Sequence, residues 1–154
     1  MVKYVIDASS LNVLEDNYPK EIPVFEPIYN KVYEMFEEGK LFSVREVYEE
    51  LKDSQEFWED YKNCFRELTE KESCNVSDIL CSDKFKVFVE KGMNENGGHW
   101  ADPHLIACAM EDPEIVVITQ ESRINKPEGK IPFVCRELGI RSINLLEFIK
   151  EISD

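Results

Sequence analysis

Four carboxylates stand where a chain of alternating strands and helices would gather them. Asp7 ends the apolar run "KYVID", Glu50 precedes the last residue of "VYEEL", Asp102 opens "DPHLIACAM" and Glu121 follows "VVIT". In a parallel sheet the carboxyl ends of the strands open on one edge, so Asp7 and Glu121 are expected to be neighbours; Glu50 and Asp102, on helices next to strands, can turn to the same edge. Two carboxylates about 5 Å apart repel by roughly 3 kcal/mol at an effective dielectric of 20. A hard divalent cation relieves that repulsion, and ligation by oxygen alone favours Mg2+ or Mn2+ over zinc. Such a site commonly handles phosphate esters. Each acid also has a plain local role open to it: Asp7 as a turn former before Ser9 and Ser10, Asp102 as a helix cap before Pro103, Glu50 as a solvated helix charge and Glu121 as a loop charge.

The elements that must position these acids follow from periodicity. "KYVID", "LFSV", "EIVVIT" and "IRSIN" read as strands, the first and third buried on both faces. Helical spacing runs from Phe25 to Phe36 and stops at Gly39; further helices are predicted at "REVYEELK", at "QEFWEDYKNCFRELTEK" with Phe57, Tyr61, Cys64, Phe65 and Leu68 on one face, after a Ser77 cap, and from about Asp83 to Glu90. "MNENGGHW" reads as a loop, Pro103 takes the favoured first position of the next helix behind an Asp102 cap, "PFVCRELG" is a helix closed by Gly139, and "LLEFIKEI" is an amphipathic C-terminal helix. The alternation predicts one α/β domain with a mostly parallel central sheet flanked by helices, without repeat or linker.

Composition bounds the rest. A chain of 154 residues with 43% hydrophobic residues suffices for one core. No apolar run is long enough for a membrane span or a secretory signal, which predicts a cytoplasmic protein with no membrane partner. The five cysteines contain no C-x-x-C pair, so buried reduced thiols are expected, with Cys108 and Cys135 in apolar helical patterns. Charge is the unusual quantity: 18 basic against 32 acidic residues give −14, which repels polyanions over about 8 Å at physiological salt. The sign is local, however. Between Gln120 and Arg141, Arg123, Lys126, Lys130, Arg136 and Arg141 outnumber Glu121, Glu128 and Glu137, a net +2 against −16 elsewhere. This is either a basic lip able to hold a phosphate backbone or an ordinary polar loop. Trp100 offers either a stacking face for a base, with His99 on a phosphate, or a rim anchor for "ADPHL"; His104 on a first helical turn is expected to face solvent, and Trp58 to pack.

With these residues in view, "VIDASSL" resembles the first motif of the PIN-domain nucleases, in which a strand-end aspartate precedes a small residue and then Ser or Asn. "SVREVYEEL" is similar to the second motif, with Glu50 in the acidic place and Glu49 the alternative if the register shifts by one; "ADPHLIACA" looks like the third and "VVITQE" like the fourth. The elements keep the family order from Val5 to Glu121, and "KIPFVCRELGIRSINLLEF" resembles one prokaryotic PIN-like subfamily. Ala8 stands where many members carry Thr, and Glu121 where Asp is frequent.

The resemblance implies a single PIN-like domain over residues 1–154, an α/β/α sandwich. It also implies a divalent-metal-dependent endoribonuclease in which Asp7, Glu50, Asp102 and Glu121 hold Mg2+ or Mn2+, Ser9 and Thr119 support them by hydrogen bonds, and water activated by the metal cleaves the phosphodiester. RNA would be the substrate, contacted by Arg123, Lys126 and Lys130. The small members of the family also imply a toxin held by an antitoxin protein, or a homo-oligomer. The competing reading is a non-catalytic PIN-like interaction module that needs no metal. A haloacid-dehalogenase-type phosphatase would need a second aspartate two positions after Asp7, where Ser9 stands.

Overall fold

The structure, a computed structural model, describes residues 1–97, 100–121, 123–124 and 127–153. Five strands form one all-parallel sheet: β1 (Lys3–Ile6), β2 (Leu41–Val44), β3 (Phe65–Arg66), β4 (Ile115–Ile118) and β5 (Ser142–Ile143), in the spatial order β3-β2-β1-β4-β5. The α/β class and parallel sheet expected from the alternation are therefore present. β4 is buried along its whole length and β1 along three of four residues, as strands covered on both faces must be. From β1 the chain winds outward to β2 and β3 and later, on the other side, to β4 and β5. Right-handed crossovers make that reversal place the connecting helices on opposite faces and leave a crevice at the carboxyl ends of β1 and β4.

Eight α-helices are present among the described residues. They are α1 (Ala8–Asn17), α2 (Glu26–Glu37), α3 (Arg45–Glu50), α4 (Glu70–Cys81), α5 (Lys86–Asn96), α6 (Asp102–Glu111), α7 (Ile131–Glu137) and α8 (Leu145–Ile152). Gly39 and Gly139, both at φ +72°, end α2 and α7 in the left-handed conformation that glycine adopts without a Cβ clash. No helix among the described residues is long and apolar enough to cross a membrane.

Several expectations change. Periodicity assigned nothing to residues 8–17, where α1 stands. The helix expected over "QEFWEDYKNCFRELTEK" is instead a run of turns, a 3-10 stretch (Glu59–Cys64) kinked at Tyr61, strand β3 and the start of α4. The reason is tertiary. Phe65 pairs alongside Ser43 on β2, Tyr61 stacks on Tyr33 at 4.9 Å, and Trp58 is fully buried, so the aromatic run wraps around α2 instead of presenting one helical face. α4 begins after Thr69, which accepts from the Glu72 N–H while Glu72 accepts from the Thr69 N–H, a capping box written in "TEKE". Ser77 lies inside α4 rather than capping a helix, and α5 continues to Asn96 through half of the expected loop. All five cysteines are free; Cys108 and Cys135 are core residues, but Cys74 and Cys81 are exposed, against the expectation of burial.

Glu72 anchors this corner. Its two oxygens accept from Arg66 at 2.8 and 2.9 Å, and the guanidinium beside it lowers its pKa to about 2. Glu72→Gln is expected to lose about 1–3 kcal/mol at neutral pH, the range for hydrogen bonds to charged groups. Because the folded pKa is depressed, the wild-type advantage is complete above the ordinary glutamate pKa and disappears as pH falls through about 2. Urea melts from pH 7 to pH 2.5 measure this; an advantage that is constant with pH would refute the ion-pair origin.

Candidate functional site

The carboxyl ends of β1 and β4 open into a cavity of about 1030 Å3 whose lining includes Asp7, Glu50, Asp102 and Glu121. Residues distant in the chain are thus brought to one place. Ile6 pairs with Ile118, which sets Asp7 and Thr119 side by side just beyond the strands. Asp7 is also the N-cap of α1, accepting from the Ser10 N–H at 2.8 Å, while the Ser9 hydroxyl donates to both of its oxygens at 2.9 Å. The local role open to Asp7 in the sequence is that of a turn former; the structure makes it a helix cap instead, and leaves the carboxylate buried at the pocket floor, 5% exposed. Burial raises its pKa, against the opposing hydrogen bonds from the Ser10 N–H and the Ser9 hydroxyl.

Glu50, at the end of α3, accepts from the Ala101 N–H at 3.0 Å and so joins α3 to the turn before α6. Desolvation of its carboxyl end raises its pKa, with further contributions from the charges of Asp7 and Glu46. Glu49 lines the same cavity, but it is Glu50 that carries the bond to Ala101.

Asp102 is the first residue of α6 and does not cap it; the preceding position is Ala101, and Pro103 takes the second place. Its carboxylate accepts no hydrogen bond among the described residues. Burial pushes its pKa well above the ordinary range, and the charges of Glu121, Asp7 and Glu50 add to the effect. Glu121 accepts from the Ile131 N–H at 2.8 Å through one oxygen, and its other oxygen lies 3.9 Å from Lys91 Nζ. Burial raises its pKa too, while the Ile131 N–H, Lys91 and Lys130 act against the shift. Thr119 accepts from the Glu121 N–H at 3.2 Å, and Ser9 accepts from the Gln120 N–H at 3.4 Å.

The donor chemistry fits a hard divalent cation: four carboxylates, raised pKa values throughout and charges that repel one another. Among the described residues, no three His, Cys, Asp or Glu side chains already converge as a ligand set. Ligation therefore requires carboxylates to turn inward, which Asp102 can do without breaking a hydrogen bond.

Sequence reasoning missed Glu46, Lys52, Glu95 and Asn96, which also line the cavity. Glu46 precedes Glu50 by one helical turn, a spacing that could have revealed it. His104, expected to face solvent, turns into the cavity with its side chain 24% exposed and Nε2 3.6 Å from Glu46 Oε1. Glu46 Oε2 and His104 Nδ1 are buried without a hydrogen-bond partner among the described residues. Trp100 is 6% exposed and packs against Phe88, which is the anchoring role rather than an open stacking face.

Of the basic lip, Lys130 is close enough to act on Glu121, and Arg123 pairs with Glu147. Arg136 lies over the Phe133 ring at 5.6 Å, in a second cleft of about 250 Å3 shared with Arg123 and Ser142. Lys126 and His99 lie outside the described residues. A further cavity, of about 440 Å3, opens among the first residues of β1, β2 and β4, at the opposite edge of the sheet; its cations Arg66 and Lys3 are paired with Glu72 and Asp112.

Comparison with curated proteins and with solved structures finds no match. Residues 4–153, nearly the whole chain, match the family described as a domain of unknown function, DUF4411, and the chain belongs to that family.

Proposed function

We propose that this protein is a divalent-metal-dependent endoribonuclease, as its resemblance to the PIN-domain nucleases implies. The observation that supports the reading most is the shared cavity: acids at positions 7, 50, 102 and 121 line one crevice at the switch point of a parallel sheet. Bound Mg2+ or Mn2+ would supply the charge that lowers the pKa of water and offsets the phosphate oxygens. The chain's own part is to present oxygen ligands from Asp7, Glu50 and Asp102, to hold Asp7 in orientation through Ser9 and Ser10, and to keep Glu50 in place through Ala101. Lys130 and the Arg136 cleft provide positive charge beside an otherwise acidic surface, where an RNA backbone can rest.

The test compares wild type with Asp7→Asn, which retains an N-cap of equal quality. Thermal unfolding with and without Mn2+ is followed by incubation with a mixed RNA pool. The wild type is expected to be stabilised by Mn2+ and to cleave, and Asp7→Asn to do neither. Identical melting with and without Mn2+, together with intact RNA, would replace the nuclease by the non-catalytic interaction module.

A further inference from the structure

Lys91 reaches Glu121, a wall residue of the acid pocket, from α5, an element outside the expected ligand set. Its Nζ lies 3.9 Å from Glu121 Oε2, and about a third of the side chain, 35%, is exposed. The lysine stem runs against Gly129, where an added Cβ would lie 3.0 Å from Lys91 Cδ, so the missing side chain at position 129 makes room for it. Both Glu121 oxygens are thereby engaged, one by the Ile131 N–H and one by the ammonium, whereas Asp102 accepts no hydrogen bond among the described residues.

We propose that Lys91 is the resident counter-cation of the acid pocket: it is held against Glu121 in the metal-free protein, competes there with an entering divalent cation and so weakens its affinity. Glu121 is then a positioning residue that ties the end of β4 to α5 and to the start of α7, and the cation is left to Asp7, Glu50 and Asp102. The competition half of the inference rests on the metal reading above. The ion-pair half does not.

Lys91→Met, Glu121→Gln and the double variant separate the two. Without metal, Lys91→Met is expected to melt a few degrees lower, on the scale of roughly 2–4 °C per kcal/mol for a chain of this size. In the Glu121→Gln background that loss should fall by at least half. Calorimetric titration with Mn2+ should show Lys91→Met binding about tenfold tighter or more, since a unit positive charge beside Glu121 has been removed. Gly129→Ala, which crowds the lysine stem, should shift Mn2+ affinity in the same direction, and Glu121→Gln should weaken Mn2+ binding less than Asp102→Asn does. Additive melting shifts in the double variant would overturn the ion pair. Unchanged or weaker Mn2+ binding by Lys91→Met would overturn the competition. A wild type that binds no Mn2+ would overturn the competition and the nuclease reading together, while non-additive melting shifts would still uphold the ion pair.

Discussion

Asp102→Asn is expected to melt a few degrees above the wild type at pH 7 without divalent metal, because it removes a buried charge that its neighbours repel. The wild-type carboxyl is buried, accepts no hydrogen bond among the described residues and faces Glu121, Asp7 and Glu50, so its folded pKa lies well above its unfolded one. Between the unfolded and the folded pKa, folding with Asp102 therefore takes up a proton that the unfolded chain does not bind, and stability falls as pH rises from the ordinary aspartate range through the raised folded pKa. The variant lacks this liability, so its advantage is absent near pH 4 and opens as pH rises. Loss of a negative charge from the first turn of α6 costs about 0.3–1 kcal/mol and reduces the gain without cancelling it. Saturating Mn2+ should invert the order: at a hundredfold excess over its dissociation constant a ligand adds about 2.7 kcal/mol to the wild type, and much less to a variant that has lost its least encumbered carboxylate. Melting curves across pH 4–8, in chelator and in Mn2+, measure both effects. A variant less stable than the wild type in chelator at pH 7 would show that Asp102 is a structural charge.

Gly92→Ala is the substitution expected to damage the fold most, by about 3 kcal/mol or more, at the upper end of what overpacking costs. A Cβ at Gly92 would fall 2.1 Å from Trp100 Cζ2 and 2.2 Å from Cε2, a hard overlap with the indole ring. Trp100 has nowhere to retreat, being buried against Phe88 and followed directly by Ala101, whose N–H holds Glu50. The same substitution should therefore weaken Mn2+ binding, although residue 92 is not a lining residue of the cavity. Chemical denaturation followed by tryptophan fluorescence and a Mn2+ titration below the melting temperature check the two parts. Wild-type stability would mean that α5 can slide away from Trp100.

Much of this was legible in the chain. β4 and α8 stand where "EIVVIT" and "LLEFIKEI" indicated, because each carries a strong local period and clear stop signals. The strand-end positions of Asp7 and Glu121 followed from the same pattern, since a buried parallel strand must end where its apolar run ends. Residues 55–71 misled because Phe57, Tyr61, Cys64, Phe65 and Leu68 fit a helical face, while their environment, with Phe65 paired to β2 and Tyr61 stacked on Tyr33, is created by elements elsewhere in the chain. The box formed by Thr69 and Glu72 was the local warning that a new helix starts there.

The sequence by itself determined the α/β alternation, the acids that terminate strands and the excess of carboxylate over cation, because hydrophobic period, capping chemistry and composition are all properties of short stretches. Only the tertiary structure decided that Asp7 would be both a helix cap and a pocket floor, that Glu46 and His104 would face each other across the same cavity, and that Lys91 would reach Glu121 past Gly129. Those outcomes depend on which surfaces meet when the two wings of the sheet wind in opposite directions, and charges that share a pocket through packing leave no period in the chain.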